Sequence, residues 1–300
     1  MTPIAIEQLS KVFRGKKGRQ VEALKGLSLE VNASEVVGFL GPNGAGKSTT
    51  IKILMGQIRP SAGNAKLFGK DVETTEARRS VGYLPENPAF YNFLTAREYL
   101  DLVGRSFGMA TADIRRESDR VLELLALADA AKRSIKGYSK GMVQRLGLAQ
   151  TLLHNPELFV LDEPMSGLDP VGRALVKDLM LDLKRAGKTI FFSSHVIADV
   201  EAVCDRVAIV AKGELRAENS VREIAAMGIA GYAIQLEAMP PPGLARYLVD
   251  GTTTAQRNDL YVPRDDFGPV MQEIDKAGCT VRLIEPQRKS LEDFFLEVIK

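Results

Sequence analysis

The chain opens with short apolar runs separated by polar turns. Between residues 4 and 40, IAIEQL, GLSLEV and VVGFL alternate apolar with polar positions or are apolar throughout, which predicts strands whose side chains point in turn to opposite faces. The segment from Lys11 to Gln20 carries Lys11, Arg14, Lys16, Lys17 and Arg19 with no acid. It reads as a solvated hairpin loop, or as a stretch that steers phosphate. From Thr95 to Ala131 apolar residues recur every three or four positions, as in TAREYLDLVGRSF and RESDRVLELLALADAA, which is helical spacing. After Tyr138 the helix GMVQRLGLAQTLL, the strand LFVLDEP, the helix VGRALVKDLMLDLKRAG and the strand TIFFSSH follow one another. Such alternation predicts a largely parallel core sheet covered by helices. From Ala208 to Leu215, AIVAKGEL predicts two strands turning at Lys212-Gly213.

Beyond about Met227 the pattern changes, with Pro240, Pro241 and Pro242 in a row. The order there is strand (YAIQLE), short helix (GLARYLV), strand (TTAQ), strand (DLYVP), helix (FGPVMQEIDKAG) and strand (TVRLIEP), which fits a ferredoxin-like split βαβ arrangement. A last amphipathic segment, SLEDFFLEVIK, is expected to dock back as a helix. The expected division is a domain over 1–226, with a helical subdomain over about 86–154, and a small α+β C-terminal domain over 227–300.

Composition narrows the function. At 300 residues and 45% apolar content the chain can bury a sizeable core, and 40 basic against 38 acidic side chains leave a formal charge of +2. That balance gives no electrostatic case for nucleic acid as a partner. Cys204 and Cys279 stand far apart without metal-ligand spacing and read as ordinary thiols of a reducing compartment. The N-terminus lacks the pattern of a signal peptide. The longest small or apolar run, Ile224 to Ile234, falls short of the ~20 residues that cross a bilayer. Any membrane path would come from another polypeptide.

The chemistry centres on Gly41-Pro42-Asn43-Gly44-Ala45-Gly46-Lys47-Ser48, which lies after the strand VVGFL and before the helical run that opens at Thr49. It matches the P-loop pattern in the context that pattern requires. Glycines let the backbone curl so that N–H groups face phosphate oxygens, and the helix behind adds its positive end. Lys47 would reach the β- and γ-phosphates, and the Ser48 hydroxyl would ligate Mg²⁺. LFVLDEP ends a strand in two acids, and phosphoryl transfer needs an acid to hold Mg²⁺ and a group to orient the attacking water. Asp162 suits the first role and Glu163 the second.

With these motifs in order, the chain resembles the ATP-binding-cassette nucleotide-binding domains over roughly residues 4 to 225. Phe13 is similar to the aromatic that stacks on adenine, Tyr83-Leu84-Pro85-Glu86 to the sensor loop, and Tyr138-Ser139-Lys140-Gly141-Met142 to the signature sequence. Ser166-Gly167-Leu168-Asp169-Pro170 is similar to the D-loop, and His195 to the switch histidine. Taken alone, Phe13 reads as core packing and His195 as a satisfied polar residue at a strand end. The other histidine, His154, is expected to cap a helix C-terminus. Ser139 before a helical run is an N-cap, so its hydroxyl, the Gly141 N–H and the helix dipole form a second anion site.

The resemblance implies a P-loop NTPase fold with an antiparallel β subdomain beside the parallel core. It implies ATP and Mg²⁺ as ligands, with Phe13, the P-loop through Thr49, Glu86, Ser139, Gly141 and Asp169 around the nucleotide. Ser48, Asp162 and Glu86 would sit at the metal, and Lys47, Glu163 and His195 at the reacting phosphate. The two phosphate half-sites would face opposite partners, so two chains, identical or homologous, sandwich ATP. An integral-membrane permease would be contacted near Glu86 to Arg105, at the cytoplasmic face of the membrane. Two departures stand out. Lys140 and Met142 replace the glycine and glutamine of LSGGQ, and Glu86 replaces a common glutamine, variants similar to ATPases of ABC-2-type exporters. Ribosome- and DNA-acting members, which carry two cassettes or a long coiled coil, fit less well. An inactive module has no support while Lys47, Asp162, Glu163 and His195 are all present.

Overall fold

VVGFL, LFVLD and TIFFSS are buried along their whole length. Strands of that kind need cover on both faces, which is the condition of a parallel sheet between layers. The structure is a computed structural model and describes residues 1–14, 20–226, 229–249, 258–288 and 290–299. The chain packs as two units, Met1–Ser220 and Val221–Val298.

The first unit begins with β1 (Ile4–Arg14), β2 (Gln20–Val31), β3 (Val36–Leu40), α1 (Lys47–Leu54), β4 (Ala62–Leu67), β5 (Lys70–Asp71) and β6 (Val81–Leu84). Helices α2 (Ala96–Ser106), α3 (Thr111–Leu124) and α4 (Lys140–Leu152) follow. It closes with β7 (Leu158–Asp162), α5 (Pro170–Arg185), β8 (Thr189–Ser194), α6 (Ile197–Val203), β9 (Arg206–Ala211) and β10 (Glu214–Ser220). The core sheet has the order β10-β9-β3-β8-β7-β6, parallel except for β10 at the edge. An antiparallel sheet, β2-β1-β4-β5, stands beside it. Helix α2 starts at a capping box in which Thr95 and Glu98 bond each other's backbone N–H. β1 extends through Lys11 to Arg14, so the first residues of the basic segment are strand rather than loop, and the rest lies outside the described residues.

Because β3, β8 and β7 are neighbours, the loops after their C-terminal ends open side by side. The P-loop follows β3, His195 follows β8 and Glu163 follows β7. Ligands in open α/β sheets bind at that edge. The P-loop is also fixed from behind. At Lys212-Gly213 both residues have positive φ, the two-residue turn that matches strand twist. There the Gly213 N–H donates to the Ala45 carbonyl (3.0 Å) and the Lys25 N–H to the Gly213 carbonyl (2.9 Å). Gly46, at φ 108°, passes so close that a Cβ would lie 2.7 Å from the Ala23 carbonyl oxygen. Only glycine fits that crossing.

In the second unit, α7 (Val221–Ala226) leads to β11 (Ile229–Leu236), β12 (Asp259–Pro263), α8 (Phe267–Lys276), β13 (Val281–Arg288) and α9 (Leu291–Ile299). β12 and β13 both run antiparallel to β11 between them, so β12-α8-β13 is a split βαβ unit. Ile234, Leu260, Val262, Val270 and Ile274 form its core. The expected helix GLARYLV is a 3₁₀ segment, Pro242–Tyr247, a form that Pro240 and Pro241 before it and Pro242 at its start favour by fixing an extended entry. The expected strand TTAQ lies outside the described residues.

Candidate functional site

A cavity of about 520 Å³ opens at the C-terminal edge of the core sheet. It brings together Pro42 through Thr49, Glu86, Glu163 and His195, with Ser166 and the β2 residues Val21, Glu22 and Ala23. Helix α1 starts at Lys47, so the positive end of its dipole faces the cavity. Lys47 is buried and donates to the carbonyls of Gly41 (2.6 Å) and Pro42 (3.4 Å).

Glu163 faces two partners. Its Oε1 lies 3.7 Å from Lys47 Nζ, and its Oε2 lies 2.9 Å from His195 Nδ1. Its backbone is left-handed, at φ 50°, a conformation that costs about 1–3 kcal/mol in a residue with a Cβ. Three bonds hold it there. The Glu163 N–H donates to Ser193 Oγ (2.9 Å), and Gln144 Nε2 donates to the Glu163 and Pro164 carbonyls (3.3 and 3.2 Å). The same Ser193 hydroxyl donates to Asp162 Oδ1 at 2.6 Å, and the Ser48 hydroxyl reaches that oxygen at 3.4 Å. Burial pushes the Asp162 carboxyl above its usual range; the Ser193 and Ser48 hydroxyls oppose the rise, and the charges of Glu86 and Glu163 add to it.

Other expected residues stand apart. Phe13 is 41% exposed and pairs across the hairpin with Val21, which lines the cavity, while Lys11 Nζ sits 5.2 Å from its ring. Ser139 is the N-cap of α4, accepting the Met142 N–H at 3.3 Å, and neither it nor Gly141 lines the cavity. Asp169 caps α5, accepting the Gly172 N–H at 2.8 Å. His154 caps no helix. Its ring stacks on Phe107, 3.8 Å between centroids, and burial lowers its pKa against the opposing effect of the Val81 backbone. His154 lies two residues past the end of α4, where stacking on Phe107 and burial take the ring instead of the terminal carbonyls. Ser193 and Gln144 were not legible beforehand; Ser193 differs from its neighbour Ser194 only in strand register.

Between Glu86 and Arg105, Phe90 packs edge-on against Tyr99 at 4.8 Å, whereas Tyr91 is 57% and Phe93 78% exposed. A groove of about 370 Å³ runs nearby, lined by Gln57, Tyr83, Tyr99, Phe107, Gln150 and His154. Among the described residues no helix is long and apolar enough to cross a membrane.

Residues 24–166 match the family model described as ABC transporter. Over its whole length the chain is 42% identical to the ABC transporter ATP-binding protein sll0415 of Synechocystis sp., covering 89% of that protein. It is 32% identical, over 99% of its own length and 96% of the other's, to the daunorubicin resistance ATP-binding protein DrrA3 of Streptomyces coeruleorubidus. A solved ATP-binding subunit of an ABC transporter superposes on it with a TM-score of 0.68 at 30% identity, over 75% of this chain and 92% of that one.

Proposed function

The chain belongs to the ABC transporter ATP-binding proteins, and from that premise we propose how its residues divide the work of binding and hydrolysing ATP. One observation carries the reading: Lys47, Glu163 and His195 converge in one cavity with the P-loop, while Ser139 and Gly141 stand outside it. The triphosphate takes the cavity, drawing Lys47 from the Gly41 carbonyl onto its β- and γ-oxygens. Phe13, beside Val21 at the mouth, stacks on the base. Glu163 takes the proton of the attacking water, and His195 fixes the Glu163 carboxylate and the γ-phosphate. Ser139, Gly141 and the positive end of α4 meet the γ-phosphate of a second copy or a homologous subunit, and Asp169 holds the D-loop that faces it.

The residues present fit a divalent cation. Ser48 and Asp162 offer hard oxygen donors beside the P-loop, and the Asp162 carboxyl, its pKa raised by burial and then by the charges of Glu86 and Glu163, would be favoured in its charged form by a cation. Among the described residues no cluster of three or more His, Cys, Asp or Glu side chains could hold a metal ion, so Ser48 and Asp162 would hold Mg²⁺ only in part. Bound there, Mg²⁺ neutralises charge on the β- and γ-oxygens.

The exposed Tyr91 and Phe93 and the groove beside Tyr99 support a seat for a membrane permease there, with the subunit on the cytoplasmic face of the membrane. The relative named for daunorubicin resistance favours export. Residues 227–300 serve as an accessory domain, and nucleic acid has no part. Light scattering tests the sandwich. Glu163→Gln in ATP and Mg²⁺ is expected to run as a dimer, and adding Ser139→Ala to return it to a monomer; a monomer that binds ATP at every concentration would overturn the reading.

A further inference from the structure

His195 is half exposed, and its ring touches Glu163 from the two-residue loop, His195 and Val196, between β8 and α6. Packing of the ring does not hold that loop. Helix α6 has seven residues and no side-chain N-cap, too short to keep its place by its own helicity. Its first turn nevertheless carries Asp199, whose side chain is only 3% exposed. A lone carboxylate so buried is costly, and removing its partners is more disruptive than replacing the whole group.

Both partners come from the first half of α5. Arg173 Nη2 meets Asp199 Oδ2 at 2.6 Å, and Lys177 Nζ lies 3.2 Å from Oδ1. Arg173 is one turn beyond the D-loop, its N–H bonded to the Asp169 carbonyl at 2.9 Å. A cavity of about 130 Å³ is lined by Glu163, Ser166 and His195 together with Arg173 and Asp199. That space adjoins the Glu163–His195 pair, and within the loop the Val196 N–H donates to Ser194 Oγ at 2.9 Å without reaching the ring. The ion pair is at the right place: it ties the turn after the D-loop to the turn after His195.

We propose that Arg173 and Asp199 are positioning residues that hold the His195 loop against α5, keeping the imidazole on Glu163 and making the D-loop and the histidine loop move as one piece. The inference rests on the reading of Glu163 and His195 as the hydrolytic pair, so its test needs a signal that is independent of turnover. The chain has two histidines, and the buried His154 is an internal control. Imidazole nitrogen shifts of the nucleotide-free full chain would be compared for wild type, Asp199→Asn, Arg173→Met and Arg173→Lys. Arg173→Met leaves Asp199 paired with Lys177 and so retains the fold if Asp199→Asn does not.

The expected result is that Arg173→Met and Asp199→Asn move the His195 signals towards those of a free imidazole while His154 stays fixed. With them kcat falls roughly 10- to 100-fold and KM for ATP stays within about twofold, the mark of misplaced groups rather than lost binding. Arg173→Lys restores most of both. A His195 spectrum unchanged in Arg173→Met overturns the clamp, whatever turnover does. A spectrum that moves while kcat holds supports the clamp and removes His195 from the hydrolytic pair instead.

Discussion

Lys47 Nζ and Glu163 Oε1 face each other 3.7 Å apart, both side chains almost wholly buried. Without nucleotide each neutralises part of the other, as two opposite charges withdrawn from water must. With the roles proposed above, a triphosphate entering the cavity would compete with Glu163 for the lysine, and that competition would free the carboxylate for the water.

Glu163→Gln is therefore expected to slow steady-state ATP hydrolysis by about 10²–10⁴-fold, the usual cost of losing a positioned base. ATP affinity should hold or rise, because the amide releases Lys47. Phosphate release and nucleotide titration measure the two separately, and turnover near wild type would remove Glu163 from the role.

Tyr91→Ser with Phe93→Ser removes two exposed aromatics that pack 5.9 Å apart. Buried aromatic anchors are worth about 2 kcal/mol or more at interfaces, so assembly with the membrane subunit should weaken at least about tenfold. The isolated chain should melt as before. Unchanged co-purification together with unchanged stimulation of ATPase would place the permease elsewhere.

Glu86 puts a carboxylate on the cavity wall, where its charge already raises the Asp162 pKa. A carboxylate is a good Mg²⁺ ligand but is repelled by phosphate and by its acidic neighbours, so it should engage only with the metal bound and the dimer closed. Glu86→Gln is expected to change the Mg²⁺ dependence of ATPase, and Glu86→Ala to abolish stimulation by the membrane subunit. Both matching wild type across a Mg²⁺ titration would leave Glu86 without a sensing role.

Glu35, just before β3, takes a two-pronged bond from Arg206 at 2.7 and 2.8 Å. Burial alone would raise its carboxyl, but Arg206 and Asn32 hold it below the usual range. A lowered carboxylate adds stability above its unfolded pKa and loses it as pH falls through the folded one. Glu35→Gln should cost about 1.5–3 kcal/mol at pH 7, typical of hydrogen bonds to a charge. The gap should close once pH drops below the lowered value, where wild type is protonated too; urea unfolding across that range checks it.

Much of the site was legible because its signals are local. The P-loop, the acids ending LFVLD, the cap at Ser139 and the turn at Lys212-Gly213 each depend on a few adjacent residues, and each stands where periodicity put it. The contacts that tune the site are not local. Ser193 serves Asp162 and Glu163 only because β8 and β7 pair in one register, and Phe107 claims His154 from another helix. No spacing in the chain announces either. Nor does any spacing tell Phe90, packed on Tyr99, from the exposed Tyr91 and Phe93.

The chain has no tryptophan, so the nucleotide site carries no intrinsic indole signal. The crossing of Gly46, Ala23 and Gly213 supplies another. The amides of Lys25 and Gly213 are bonded in series to the carbonyl of Ala45, inside the phosphate loop itself. Whatever stiffens that loop slows hydrogen exchange at both, so one residue of β2 and one of the β9–β10 turn, neither lining the cavity, serve as a built-in gauge of occupancy.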